Sequence, residues 1–137
     1  MQNSLNKISE ILDSMYAPLY ESAKSKTICR KKVDFLFECI CQLRIEAAKI
    51  LFTEIDKNNK NAENIKNQIS SFINLDMDNL RDSIIRFIRN PNICEKCLND
   101  GENMEYDEMC EFSHVAGLIT GNIGFRLSYI DELIDEQ

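Results

Sequence analysis

The sequence predicts an all-α protein: a single helical domain over residues 1–137, built as an antiparallel bundle of four to five helices, with a zinc clasp joining the last two. Three observations carry that expectation. Apolar residues recur at three- and four-residue intervals along most of the 137 residues, the period of an amphipathic helix. Only four Gly and two Pro punctuate the chain, so its elements are long. Three thiols and the only histidine, Cys94, Cys97, Cys110 and His114, crowd into one stretch at the spacing a tetrahedral metal site needs.

Composition narrows the classes. Apolar residues make up 44% and charged residues 28%, the range of globular domains, and the length is enough to bury a real core. Net charge is −7 but uneven: residues 1–93 carry 14 Lys/Arg against 12 Asp/Glu, and residues 94–137 carry 2 against 11. An acidic C-terminal third repels phosphate backbones. No window reaches the ~20 apolar residues of a membrane span. Residues Met1 to Leu5 lack the apolar run of a secretory signal, so a reducing cytoplasm is expected and clustered cysteines read as metal ligands. Cys29, Cys39 and Cys41 show no ligand pattern and read as core thiols.

In chain order, Ile8, Ile11, Leu12, Met15, Leu19 and Ala23 predict a first helix over about 4–24, kinked or broken at Pro18. The second helix, about 28–57, is the spine. Val33, Leu36, Ile40, Leu43, Ala47 and Ile50 form its main stripe, which Phe37, Cys41, Ala48, Leu51 and Ile55 widen. Asp34, Glu38, Gln42, Glu46, Lys49 and Thr53 fall on one narrow polar strip, so most of this helix needs cover. Arg44 and Glu54 project instead into the apolar arc. They read as members of buried or half-buried ion pairs with a neighbouring helix, Asp76 or Asp82 being candidate partners, or as an oligomer contact, rather than as a polar ligand pocket. On that phase Arg44→Ala is expected to destabilise more than Lys49→Ala.

Lys57 to Asn61 is a polar turn. Ile65, Ile69, Phe72, Leu80, Ile84, Phe87 and Ile88 mark a third helical region ending at Asn90-Pro91-Asn92, either one helix or two with a joint near Asn74. Asp76 and Asp78 suit a new helix start there. A last helix is expected from about Met104 to Glu132. No charged residue occurs from Phe112 to Phe125. Gly117, Gly121 and Gly124 follow Cys110 and His114 along one face. Each glycine costs up to ~1 kcal/mol inside a helix, and close approach of another backbone supplies a reason, so these three are the expected self-association face. The competing reading makes Thr120 to Gly124 a loop.

The string C-x2-C-x12-C-x3-H resembles the C-x2-C-x12-H-x3-H zinc finger with its third ligand changed to cysteine. The resemblance covers 21 residues and implies a structural zinc. Where such fingers carry an aromatic and a leucine, this chain has Gly101 and Asp107, and Glu105, Asp107, Glu108 and Glu111 replace the basic readers of DNA. The metal-binding part carries over and the nucleic-acid-reading part does not. Four protein ligands leave no open position for water, so the site is structural rather than catalytic. With its one histidine on the metal and no Gly-rich phosphate loop, the chain is expected to be non-enzymatic. The reading is a zinc-binding interaction or regulatory module with a protein partner, self-associating as a homo-oligomer. The rival is a nucleic-acid-binding regulator using Lys24, Lys26, Arg30, Lys31 and Lys32 with Arg81, Arg86 and Arg89, weighed against an ordinary solvated surface.

Overall fold

A computed structural model describes residues 1–94 and 109–135, and every regular element among them is helical. Four rods follow one another. Helix α1 is Gln2–Ser25. Helix α2 is Arg30–Lys49, running on through a π-helical segment, Ile50–Glu54. Helix α3 joins Ala62–Ser71, a π segment Phe72–Asp76, and Met77–Arg89. Helix α4 joins Glu111–Gly117, a π segment Leu118–Ile123, and Gly124–Asp135.

The region after Asn61 is therefore one continuous rod. The joint expected near Asn74 is a π turn rather than a break. Its signature is in the core spacing: Ile65, Ile69, Phe72, Met77, Leu80, Ile84 and Phe87 are all buried, with steps of three or four residues except from Phe72 to Met77. A π turn holds the additional residue without ending the helix. Residues 120–124 are likewise helical rather than a loop. Helix α1 runs unbroken through Pro18. Proline in a helix interior costs about 3 kcal/mol, and here Leu12, Met15, Leu19 and Ala23, buried on either side of it, hold the rod together. The helix stops at Lys26, whose φ of 60° is left-handed.

Polar contacts give the direction of each neighbour. Helices α1 and α2 are antiparallel, since Glu54 meets Met1 and Ser4 while Lys32 meets Glu21. Helices α2 and α3 are tied by Arg44 and Asp78. Helix α4 runs antiparallel to α3, with Glu111 beside Arg86 at one end and the Leu133 carbonyl accepting from Asn61 at the other. Tyr16 and Tyr20 of α1 pack on Phe112 of α4, closing the circuit into a bundle-like arrangement. Its axis is filled by buried side chains from all four rods, including Ile8, Leu43, Phe72 and Val115. No helix among the described residues is long and apolar enough to cross a membrane.

Two expectations about the spine need correction. Of the three thiols expected in the core, only Cys39 is buried, and burial raises its pKa. Cys29 precedes the first turn of α2, and Cys41 lies on that helix's outer face, so both are exposed. Glu46, expected on the solvated strip, is buried.

At the far end of α2 the Ser4 hydroxyl donates to both Glu54 oxygens, at 2.9 and 2.8 Å, and the Met1 ammonium lies 3.1 Å from Oε1. Burial pushes the Glu54 carboxyl up, but the Ser4 hydroxyl and the ammonium together outweigh it and the net shift is downward. A carboxyl whose pKa is lower folded than unfolded stabilises the fold above its unfolded value, and that contribution is lost as pH falls through the folded value. Urea midpoints taken from neutral pH down through the carboxylate range are therefore expected to fall less steeply for Glu54→Gln than for the parent. Parallel acid limbs would assign the acid sensitivity to other carboxylates.

Candidate metal centre

The two candidate ligands at the start of α4, Cys110 and His114, sit on either side of its first turn. Cys110 is extended, with φ −72° and ψ 165°, and its carbonyl accepts from the His114 amide at 3.1 Å. The described helix starts at Glu111, later than the Met104 expected from periodicity, with Met109 and Cys110 both outside it. Cys110 thus acts as the capping residue and His114 sits one turn on. The Cys110 thiol donates to Ser113 Oγ at 3.5 Å. Cys94 is half-buried, beyond the end of α3 at Arg89. Cys97 lies outside the described residues. Among the described residues alone, no three His, Cys, Asp or Glu side chains form a metal-holding group.

The surroundings of His114 suit a metal ligand. Its largely buried ring places Nδ1 3.4 Å from Glu111 Oε2, and Arg86 Nε is 3.5 Å from the same oxygen. A carboxylate against one ring nitrogen is the usual way a metal-binding imidazole is oriented, with the opposite nitrogen left to the metal. Neither Arg86 nor Glu111 was anticipated in this role. The available signal was the three-residue step from Glu111 to His114, which puts both on one helix face.

Arg44 and Glu54 each find a partner on a neighbouring helix, but not the partners expected. Arg44 Nη2 donates to Asp78 Oδ1 at 2.7 Å, with the Arg44 side chain 34% exposed. Lys49 Nζ lies 3.0 Å from Glu46 Oε1, and there the carboxylate is the buried partner, 8% exposed. This reverses the expected order of the two alanine variants. Losing a half-exposed pair costs about 0–1 kcal/mol, whereas leaving the buried Glu46 acceptor unsatisfied costs about 1–3 kcal/mol. Lys49→Ala is expected to lower the urea midpoint more than Arg44→Ala. A larger loss for Arg44→Ala would restore the helical phase read from the sequence.

Among the described residues, the best-enclosed ion pair involves a cation that no sequence pattern singled out. Arg126 of α4 donates from Nε to Asp76 Oδ2 at 2.5 Å, from Nη2 to Asp76 Oδ1 at 3.3 Å, and from Nη1 to Gln68 Oε1 at 2.7 Å. The Asp76 side chain is 6% exposed and that of Arg126 21%. The fork matches the planar geometry of guanidinium and carboxylate. It also joins the α3 π segment to the start of the last segment of α4.

The π segment of α4 also separates the three glycines. A Cβ added at Gly117 or Gly121 would meet nothing within 4 Å, whereas one at Gly124 would meet the Ile119 carbonyl at 3.3 Å. Gly124 lines a groove of about 340 Å3 between α1 and α4. The added residue in the π turn shifts the face that follows it. Compared with known protein families, curated proteins and solved structures, the chain matches none.

Proposed function

We propose that this chain is a non-enzymatic helical interaction module, braced by a structural zinc and self-associating through α4. The supporting observation is the surface of α4. Between Phe112 and Phe125 the chain carries no charge, Gly117 and Gly121 face open space, and Phe125 is exposed. Two copies meeting at such a surface need only one self-complementary patch, which makes a two-fold dimer the simplest assembly. Zinc would be held by Cys94, Cys97, Cys110 and His114, with Glu111 and Arg86 fixing the imidazole. Zinc suits three thiolates and one imidazole because it is borderline-soft and tolerates tetrahedral geometry.

The test is the mass in solution. Light scattering on the parent chain is expected to give twice the 15.9 kDa monomer mass. Gly121→Leu is expected to give the monomer with its helical circular dichroism intact, because a Cβ at that position enters open space. A monomeric parent at high concentration ends the self-association reading. A nucleic-acid reading has less support. The basic cluster does gather at the α1–α2 turn, but Lys32 is paired with Glu21, Arg81 with Asp78 and Asp82, and Arg86 with Glu111.

A further inference from the structure

We infer that the groove between α1 and α4 is the seat of a basic, amphipathic helix from a partner protein. The inference deepens the interaction-module reading and rests on it, but uses a different face from Gly117 and Gly121. The groove exists because each wall is tied elsewhere. Helix α1 is held to α2 through Glu54. Helix α4 is held to α3 through Arg126, through the Leu133 carbonyl on Asn61, and through the Tyr129 hydroxyl on Asn64. The aromatic contacts of Tyr16 and Tyr20 with Phe112 close the seam at one end. Along Gln2–Asp13 on one side and Ile119–Asp131 on the other, the walls stand apart and leave the space of about 340 Å3.

Its lining states what fits. Leu5, Leu12, Ile119 and Leu127 supply an apolar strip, in a lining that is otherwise polar apart from Gly124. A long trough between two helices with an apolar floor is the usual acceptor for a third helix, whose anchors recur every three or four residues. The charges select the partner's sign. Asp13 and Asp131 are the only charged residues in the lining, which contains no Lys or Arg. Neither has an ion-pair partner among the described residues. Because α1 and α4 run antiparallel, Asp131 belongs to the Gln2 end of the trough and Asp13 to the other. The rise per residue separates those ends by about 16 Å. A helix with cations about three turns apart and apolar residues between them meets both carboxylates and covers the floor. A second copy of this face would bring aspartates toward aspartates, which disfavours the chain itself as occupant.

The probe is a fluorescein-labelled peptide of about 15 residues, with leucines at three- and four-residue intervals and a lysine near each end. A matched peptide carries glutamates at those ends. Anisotropy is read on the full chain and on Gly121→Leu. The lysine peptide is expected to bind at least about tenfold more tightly than the glutamate peptide. Asp13→Lys combined with Asp131→Lys is expected to invert that preference. Amide shifts should centre on Ser9, Thr120 and Ser128, and Ser9→Trp should block binding by filling the trough. Equal binding of both peptides, a preference unchanged by the charge reversal, or shifts elsewhere overturns the inference. Binding that persists in Gly121→Leu, whatever that variant's mass, keeps the groove separate from self-association. If the parent is a monomer yet binds the lysine peptide, only the self-association reading fails.

Discussion

Arg126→Ala is expected to be the most destabilising single removal of a positive charge from this protein, at about 3–5 kcal/mol. The cost comes mainly from what is left behind. Asp76 is almost fully enclosed and takes two donors from Arg126, so truncation strands a buried carboxylate. Gln68 loses the same guanidinium. For a chain of this size the effect corresponds to a fall in Tm of roughly 10–20 °C. Replacing both charges at once should behave differently. Arg126→Met with Asp76→Leu removes the desolvation cost together with the attraction, and such swaps are commonly neutral or stabilising. Thermal and urea unfolding of the single and double variants checks both statements. A single variant within about 1 kcal/mol of the parent would mean that the pair behaves as an exposed one.

The second large effect concerns metal. Purified protein is expected to carry about one zinc per chain, and a strong chelator to lower its Tm. Zinc binding is worth on the order of 10–16 kcal/mol in isolated finger peptides, where the metal supplies most of the folding energy. Here the buried interior contributed by all four rods supports much of the fold without it, so the stripped chain should keep its helices and lose stability. Cys97→Ser and Cys110→Ser should each resemble the stripped protein and show no further response to chelator. Retention should weaken in acid, since thiolates and imidazole are lost to protons. Elemental analysis that finds no metal, or identical melting with and without chelator, reduces the four residues to packed thiols and a paired histidine. Glu111→Gln is the finer probe: it keeps all four candidate ligands but replaces the carboxylate beside His114 Nδ1 with a neutral amide, a weaker acceptor, and a loss of about 10–100-fold in zinc affinity is expected.

Much of the architecture was legible because burial leaves a periodic trace. The stripe from Ile8 to Ala23 and that from Leu36 to Ile50 read directly as faces, and both are buried. Glu46 was misread because its azimuth alone says nothing about which neighbour covers that side of α2. The Arg126–Asp76 pair was available in principle. Arg126 falls three residues after Ile123 and four before Ile130, both buried, and Asp76 falls midway between Phe72 and Leu80. A charge inside an apolar stripe on each of two helices is the trace of a buried pair, but pairing them requires knowing that α3 and α4 are neighbours. The π turns blurred the count, since a single added residue looks like noise in a period of 3.6. The proposed clasp rests on the spacing of its four residues. The Glu111 carboxylate beside His114 emerged only with the geometry of the first turn of α4.

The π turns give this chain a tolerance of length that its regular helical stretches lack. Phe72–Asp76 takes up one residue more than a regular α-helical turn needs, which is how the buried face continues across it. Removing one residue between Phe72 and Asp76 would shorten the step from Phe72 to Met77 from five residues to four, and Leu80, Ile84 and Phe87 would keep their place in the core. The same deletion between Leu80 and Phe87 would instead turn everything beyond it by about 100°. The rod is therefore loosest in length at its π turn and tightest on either side of it.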